Sequence, residues 1–355
     1  MNRIDSNEET TGTDKKSALR RYLEANPSLR DLVKFIFIEK RGILAADESG
    51  GSIAKKFDSM NIDDTAKNRR DYRNVFLSTP GLSKYCGGVI LFEETAEQKA
   101  DDGQLFGDFL LDGNVLPGIK LDRGLQPLPN FEGNTYTRGL DDLPERLEKY
   151  HGMGFRFAKW RAALNITTDA SGKASLPPDQ VIDINNTILA LYALECQKAG
   201  IIPIVEPELV YDGNYNIETS ALATTKIIQN LMEKLIAYKL DLPGVILKCN
   251  MVLAGKQWKT LSTPEEVATA TVTVLSKTVP KQMGAVVFLS GGQTPIQTAA
   301  NYHAIRTRVS ELPFPVSFSF ARALQDPALN AWKGDNNNFD EAQTAFSKQL
   351  QKVAS

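Results

Sequence analysis

Three strand-like runs each place a lysine where another apolar residue would be expected: "GIKLD" at 118–122 with Lys120, "FRFAKWR" at 155–161 with Lys159, and "GVILKCNM" at 244–251 with Lys248. A single strand-end lysine can lay its stem along apolar surface and reach water. Three in equivalent settings point to a shared destination. A lysine in apolar surroundings beside a second cation loses part of its preference for the charged form, which makes a neutral amine available. Such an amine attacks ketones, and the iminium it forms draws electrons from the adjacent carbon without a metal. Lys248 is the candidate nucleophile and Lys159 its neighbour. Forming and dehydrating a carbinolamine moves protons in both directions. Glu206 and Glu208 in "IIPIVEPEL" and Asp47 at the end of "GILAAD" are the acid/base candidates.

Two further stretches can hold anions. "FLSGGQTP" at 288–295 joins a strand-like run to a helix-like one, so Ser290, the amides of Gly291 and Gly292 and the positive helix end form one cradle. "DESGGSIAKK" repeats the arrangement with Ser49 and Ser52, and with Lys55 and Lys56 close by. Lys120, Arg161 and Arg322 supply further cations. Any one of these residues could belong to a structural ion-pair layer. Together, two cradles beside one lysine cluster suggest a substrate phosphorylated at both ends.

Eight β-rich runs carry these groups, at 42–47, 87–94, 118–122, 155–161, 200–209, 244–251, 284–292 and 315–324. Helix-like segments lie between them, clearest at 178–199, 217–239, 264–279 and 295–309. Eight strands interleaved with helices predict a (β/α)8 TIM barrel, whose chemistry sits at the C-terminal strand ends. The period of 2 puts Lys159 on one face with Arg161, Glu206 with Glu208, and Lys248 with Ile246. A doubly wound open sheet would carry GxGxxG after its first strand, and "DESGGSIAKK" is not that pattern. The stretch from residue 325 reads as a loop leading to a terminal helix. The expected organisation is a polar leader at 1–24, a barrel at 25–333 and a C-terminal helix or tail at 334–355.

The 355 residues are 42% hydrophobic and 24% charged with a formal charge of −2, which gives no reason to expect nucleic-acid or membrane-surface binding. Cys86, Cys196 and Cys249 show no CxxC spacing, which argues for a reducing compartment and against thiolate zinc. Two histidines, His151 and His303, cannot build a zinc site of several imidazoles. No apolar run approaches the ~20 residues of a membrane helix. The expectation is a cytoplasmic protein with no metal.

"GILAADESGGSIAKK", "GGVILFEET", "GIKLDRG", "FAKWR", "IIPIVEPE", "LKCNM", "FLSGGQ" and "FSFARAL" resemble, in order, the class I fructose-bisphosphate aldolases. That resemblance implies a cofactor-free (β/α)8 enzyme, usually a homotetramer. Such an enzyme reversibly cleaves fructose 1,6-bisphosphate to dihydroxyacetone phosphate and glyceraldehyde 3-phosphate in glycolysis and gluconeogenesis. It makes Lys248 the Schiff-base lysine, Glu206 and Lys159 the pair assisting carbinolamine chemistry, and Asp47 the group near the C4 hydroxyl. Ser290, Gly291 and Arg322, with Gly292 and Ala321 beside them, fall at the C1 phosphate. Ser49, Ser52, Lys56, Lys120 and Arg161 fall toward the C6 phosphate or the bond being cleaved.

Lys56 stands where animal members carry arginine, Cys249 where they carry proline, and Phe320-Ala321 where they carry tyrosine-glycine. Lys56 keeps the charge without the planar fork that grips phosphate. No tyrosine follows Tyr302, so water or Glu206 is expected to protonate the enamine. Another Schiff-base sugar-phosphate aldolase or a transaldolase would need only one phosphate cradle. A non-catalytic aldolase-like scaffold would be free to lose Lys248, Lys159 or Glu206.

Overall fold

In a computed structural model describing residues 16–169 and 171–354, the eight runs form the strands of one closed parallel barrel. These are β1 (Gly42–Ala46), β2 (Cys86–Leu91), β3 (Leu116–Lys120), β4 (Phe157–Leu164), β5 (Ile202–Leu209), β6 (Ile246–Cys249), β7 (Ala285–Phe288) and β8 (Val316–Phe320). Each pairs with its sequence neighbours, and β8 closes on β1. The clearest expected helices occur at Asp179–Lys198, Ile217–Ala237, Pro264–Thr278 and Pro295–Arg306.

Strand alternation divides the apolar residues. Ile43, Ala45, Ile90, Leu116, Phe157, Ile202, Ile204, Ile246, Ala285 and Val287 form one buried cluster within the barrel, closed from below by Leu32, Val33 and Ile36 of the helix Leu29–Phe37. Leu44, Val89, Ala158, Trp160, Val205, Leu247, Val286 and Phe318 have the opposite parity and belong to the core shared with the outer helices. Gly118 leaves room for the barrel floor, since a Cβ there would lie 2.2 Å from the Phe157 ring. One step above this apolar floor the inward positions become Lys120, Lys159, Arg161, Glu206, Glu208 and Lys248.

Two expectations need correction. The run at 315–324 ends as a strand at Phe320, and Arg322 begins a helix that continues to Trp332 through the stretch read as a loop. Pro327 argues against a helix in the sequence, but Ala323, Leu324, Ala328, Leu329 and Trp332 bury one face and hold the helix together. The leader lies partly outside the described residues. Its last part is a helix, Ala18–Glu24, with Leu19 buried and Arg20 2.9 Å from Asp108. The expected C-terminal helix occurs at Phe339–Ala354, and its Ala342, Phe346, Leu350 and Val353 join the main core. Two short hairpins, Leu125–Pro127 with Thr135–Thr137 and Thr167–Thr168 with Ala174–Ser175, follow β3 and β4 and lie outside the eight expected runs.

Candidate active site

The C-terminal ends of the strands surround a cavity of ≈500 Å³. Its lining includes Asp47, Ser49, Ser52, Lys120, Lys159, Arg161, Glu206, Glu208, Lys248, Ser290, Gly291, Ala321 and Arg322. Residues from β1, β3, β4, β5, β6 and β8 and from the loop after β7 therefore converge on one mouth, as strand parity and barrel polarity require.

At its base lies a buried quartet. Lys248 Nζ is 3.1 Å from Glu206 Oε1, and Lys159 Nζ is 3.3 Å from Glu206 Oε2 and 2.7 Å from Asp47 Oδ2. Lys248, Lys159 and Glu206 are at most 4% exposed. Two cations and two carboxylates balance, which is how charges tolerate burial. Burial opposes ionisation of Asp47, but the ammonium groups of Lys159 and Lys248 outweigh it and hold the carboxyl below its usual range. Burial likewise opposes the charge on Lys159, and Asp47 and Glu206 overcome it, holding the ammonium above the usual lysine range.

Lys159, expected as the cationic neighbour of Lys248, shares the Glu206 carboxylate with it. Ile246 is in register with Ile204, so Lys248, two residues on, rises to the level of Glu206. Lys159 is in register with Ile204, one layer lower. Glu206 consequently stands between the two lysines. A carboxylate in that place can take a proton from one amine or return it to a departing hydroxyl. The neighbouring Cys249 thiol is buried and pushed up to about 12, which leaves it unsuited to nucleophilic work.

The two cradles flank this quartet. Ser49 precedes the helix Gly50–Asp58 without capping it by its side chain, and its hydroxyl lies 3.3 Å from that of Ser52. The amides of that first turn are free of side-chain caps, an arrangement suited to an anion. Two strands away around the barrel, Gly291 and Gly292 take positive φ values of 58° and 91°, which favour glycine. Gly292 does not itself line the cavity. The helix after them, Pro295–Arg306, is closed by a capping box between Thr294 and Gln297, so its end is less available to an anion than expected. Arg322, at the start of the helix after β8, faces the cavity instead.

Lys120 and Arg161 reach the mouth already paired. Lys120 Nζ is 2.7 Å from Asp122 Oδ1, and Arg161 bonds Glu208. Arg161 Nε donates to Glu208 Oε2, and burial of the Glu208 carboxyl is outweighed by that guanidinium, which lowers its pKa.

Lys56 requires a correction. Its ammonium does not line the cavity but points away into a buried network with Glu48, Tyr72 and Gln325.

Sequence reading missed Asp122, Glu48 and Ser319. Asp122 shares parity with Lys120, a signal that was present, and also accepts the Arg161 amide at 3.3 Å. Ser319, 1% exposed, lines the cavity with a hydroxyl that has no partner among the described residues. It was recoverable from period 2 along β8. Glu48 carried no local signal.

A family profile described as fructose-bisphosphate aldolase class-I matches residues 28–355. The chain is 44% identical over 304 residues to a probable class 1 fructose-bisphosphate aldolase of Xanthomonas campestris pv. campestris, covering 85% of this chain and 89% of that one. It is 44% identical over 306 residues to the cytosolic fructose-bisphosphate aldolase 4 of Arabidopsis thaliana, covering 86% and 76%. A crystal structure of Plasmodium falciparum fructose-bisphosphate aldolase, in complex with TRAP and a small-molecule inhibitor, superposes with a TM-score of 0.88 at 37% identity, covering 98% of this chain and 97% of that one.

Proposed function

The chain belongs to the class-I fructose-bisphosphate aldolase family, and we propose that it cleaves fructose 1,6-bisphosphate reversibly through a Schiff base on Lys248. The supporting observation is the contact of Glu206 with both Lys248 and Lys159 at 3.1 and 3.3 Å, all three buried above an apolar barrel floor.

Glu206 takes a proton from the Lys248 ammonium, and the neutral amine adds to the C2 ketone. Glu206 then returns a proton to the carbinolamine hydroxyl, which leaves as water and yields the iminium, while the Lys159 ammonium holds the developing oxyanion. Asp47 accepts the C4 hydroxyl proton as the C3–C4 bond breaks. The bond's electrons flow into the iminium, glyceraldehyde 3-phosphate departs, and an enamine remains. A proton added at C3 and a water added at C2 release dihydroxyacetone phosphate and restore Lys248. The iminium serves as the electron sink, so the reading assigns no metal or organic cofactor.

Ser290, Gly291 and Arg322 receive the C1 phosphate in this scheme. Ser49, Ser52, Lys120 and Arg161 receive the far end, with Lys120 and Arg161 exchanging carboxylate partners for phosphate. Two cradles on one cavity favour a bisphosphorylated ketose over the single-phosphate substrates of other Schiff-base barrels. A cytoplasmic homotetramer is the form suggested by family membership, and cytosolic relatives support the location.

Borohydride added with dihydroxyacetone phosphate is expected to leave a stable mass increment on Lys248. Modification confined to another lysine, or none, overturns the scheme.

A further inference from the structure

Asp47 directly follows β1, and the backbone carbonyls of Ala45 before it and Glu48 after it are held from outside the cavity. On the N-terminal side, Gln325 Nε2 donates to the Ala45 carbonyl at 2.9 Å. On the C-terminal side, Arg73 donates to the Glu48 carbonyl at 3.0 Å and also to its carboxylate. Lys56 joins the two sides. Its ammonium donates to Glu48 Oε1 at 3.1 Å and to Gln325 Oε1 at 3.1 Å, and also to Tyr72 Oη at 3.0 Å. Asp326 lies 3.6 Å away.

An ammonium has three protons to donate, and three acceptors within hydrogen-bond distance use them. Tyr72 and Gln325 are fully buried and Arg73 is 1% exposed, so releasing these bonds would leave polar groups stranded away from water. For Lys56 to reach a phosphate it would have to abandon Glu48 and Gln325 together.

We infer that Lys56 is a positioning residue for Asp47, acting through Glu48 and Gln325, and that it does not bind substrate phosphate. This rests on the reading that Asp47 accepts the C4 proton. Burial with several bonding partners gives the arrangement rigidity, and a small tilt of a proton acceptor lowers rate steeply while leaving binding intact.

Steady-state cleavage by Lys56→Met and by Lys56→Gln separates the two tasks. The expectation is a fall in kcat of about tenfold or more in Lys56→Met, a smaller fall in Lys56→Gln, and a KM within about twofold of the parent. Competitive inhibition by inorganic phosphate should keep its parent strength. Lys56→Arg, able to reach the same acceptors, should recover most of kcat. A rise in KM and weaker phosphate inhibition at unchanged kcat would make Lys56 a phosphate ligand and overturn the inference, as would parent-like kinetics in Lys56→Met. Lys56→Gln, which keeps a donor, provides the same readout if the methionine variant does not fold. Failure of the parent protein to trap an iminium on Lys248 would instead overturn the underlying scheme, independently of these variants.

Discussion

Lys248 Nζ and Glu206 Oε1 lie 3.1 Å apart, both almost wholly withdrawn from water. This contact makes Glu206 the nearest base to the proposed nucleophile, while its other oxygen lies 3.3 Å from Lys159. Glu206→Gln keeps the shape but cannot shuttle a proton. It is expected to lower kcat by about 10² or more, with slower borohydride trapping on Lys248. Arg322→Met removes a cavity cation placed to meet phosphate in ground and transition states alike, so it should raise KM by about tenfold with kcat changed less than about threefold. The reverse pattern in the two variants would exchange their roles.

The network beneath Asp47 also governs acid stability. Burial works against the Glu48 charge, but Arg73 and Lys56 prevail and bring its carboxyl down to about 2. An unfolded glutamate titrates near ~4.3, so between these values the unfolded chain binds more protons. Stability therefore rises with pH through that window. The contribution, on the order of 3 kcal/mol, is complete above about pH 4.3 and lost as pH falls toward 2. Asp47, also lowered, adds in the same direction. Urea midpoints measured from about pH 5 down to 2.5 should fall less steeply in Glu48→Gln than in the parent, whatever the variant's overall loss. Parallel curves would show that Glu48 does not carry the effect.

What the sequence made legible follows from which forces are local. Strand composition and period 2 act within a few residues, so the eight strands and the shared faces of Lys159 with Arg161 and of Glu206 with Glu208 could be read directly. Parity assigns a face but not a height. The stagger that sets Ile246 beside Ile204, and so lifts Lys248 to Glu206, is a property of barrel closure. The bonding partners of Lys56 were hidden for a similar reason. Its partners Tyr72 and Gln325 are 16 and 269 residues away, and nothing near "GSIAKK" announces them. The helix from Arg322 was obscured by Pro327, whose local cost is outweighed by the apolar face the helix buries.

Gly118 tests how the floor supports the charged layer. It pairs in register with Phe157, and a Cβ built on it would lie 2.2 Å from the Phe157 ring. A Cβ built on Gly88 would meet the same ring at 2.9 Å, so two strands give up side chains to admit one aromatic. Gly118→Ala should force that ring to move, at a cost of about 1–3 kcal/mol typical of overpacking. Lys120 and Lys159 stand two residues beyond Gly118 and Phe157 on the same faces, so a displaced floor tilts the lysines above it. The variant is expected to melt earlier and to lose kcat. Pairing it with Phe157→Leu, which returns volume to the floor, should recover part of both. If Gly118→Ala alone melts and turns over like the parent, the ring does not set the height of the lysine layer. If the double variant regains stability without kcat, the floor and the lysines are mechanically separate.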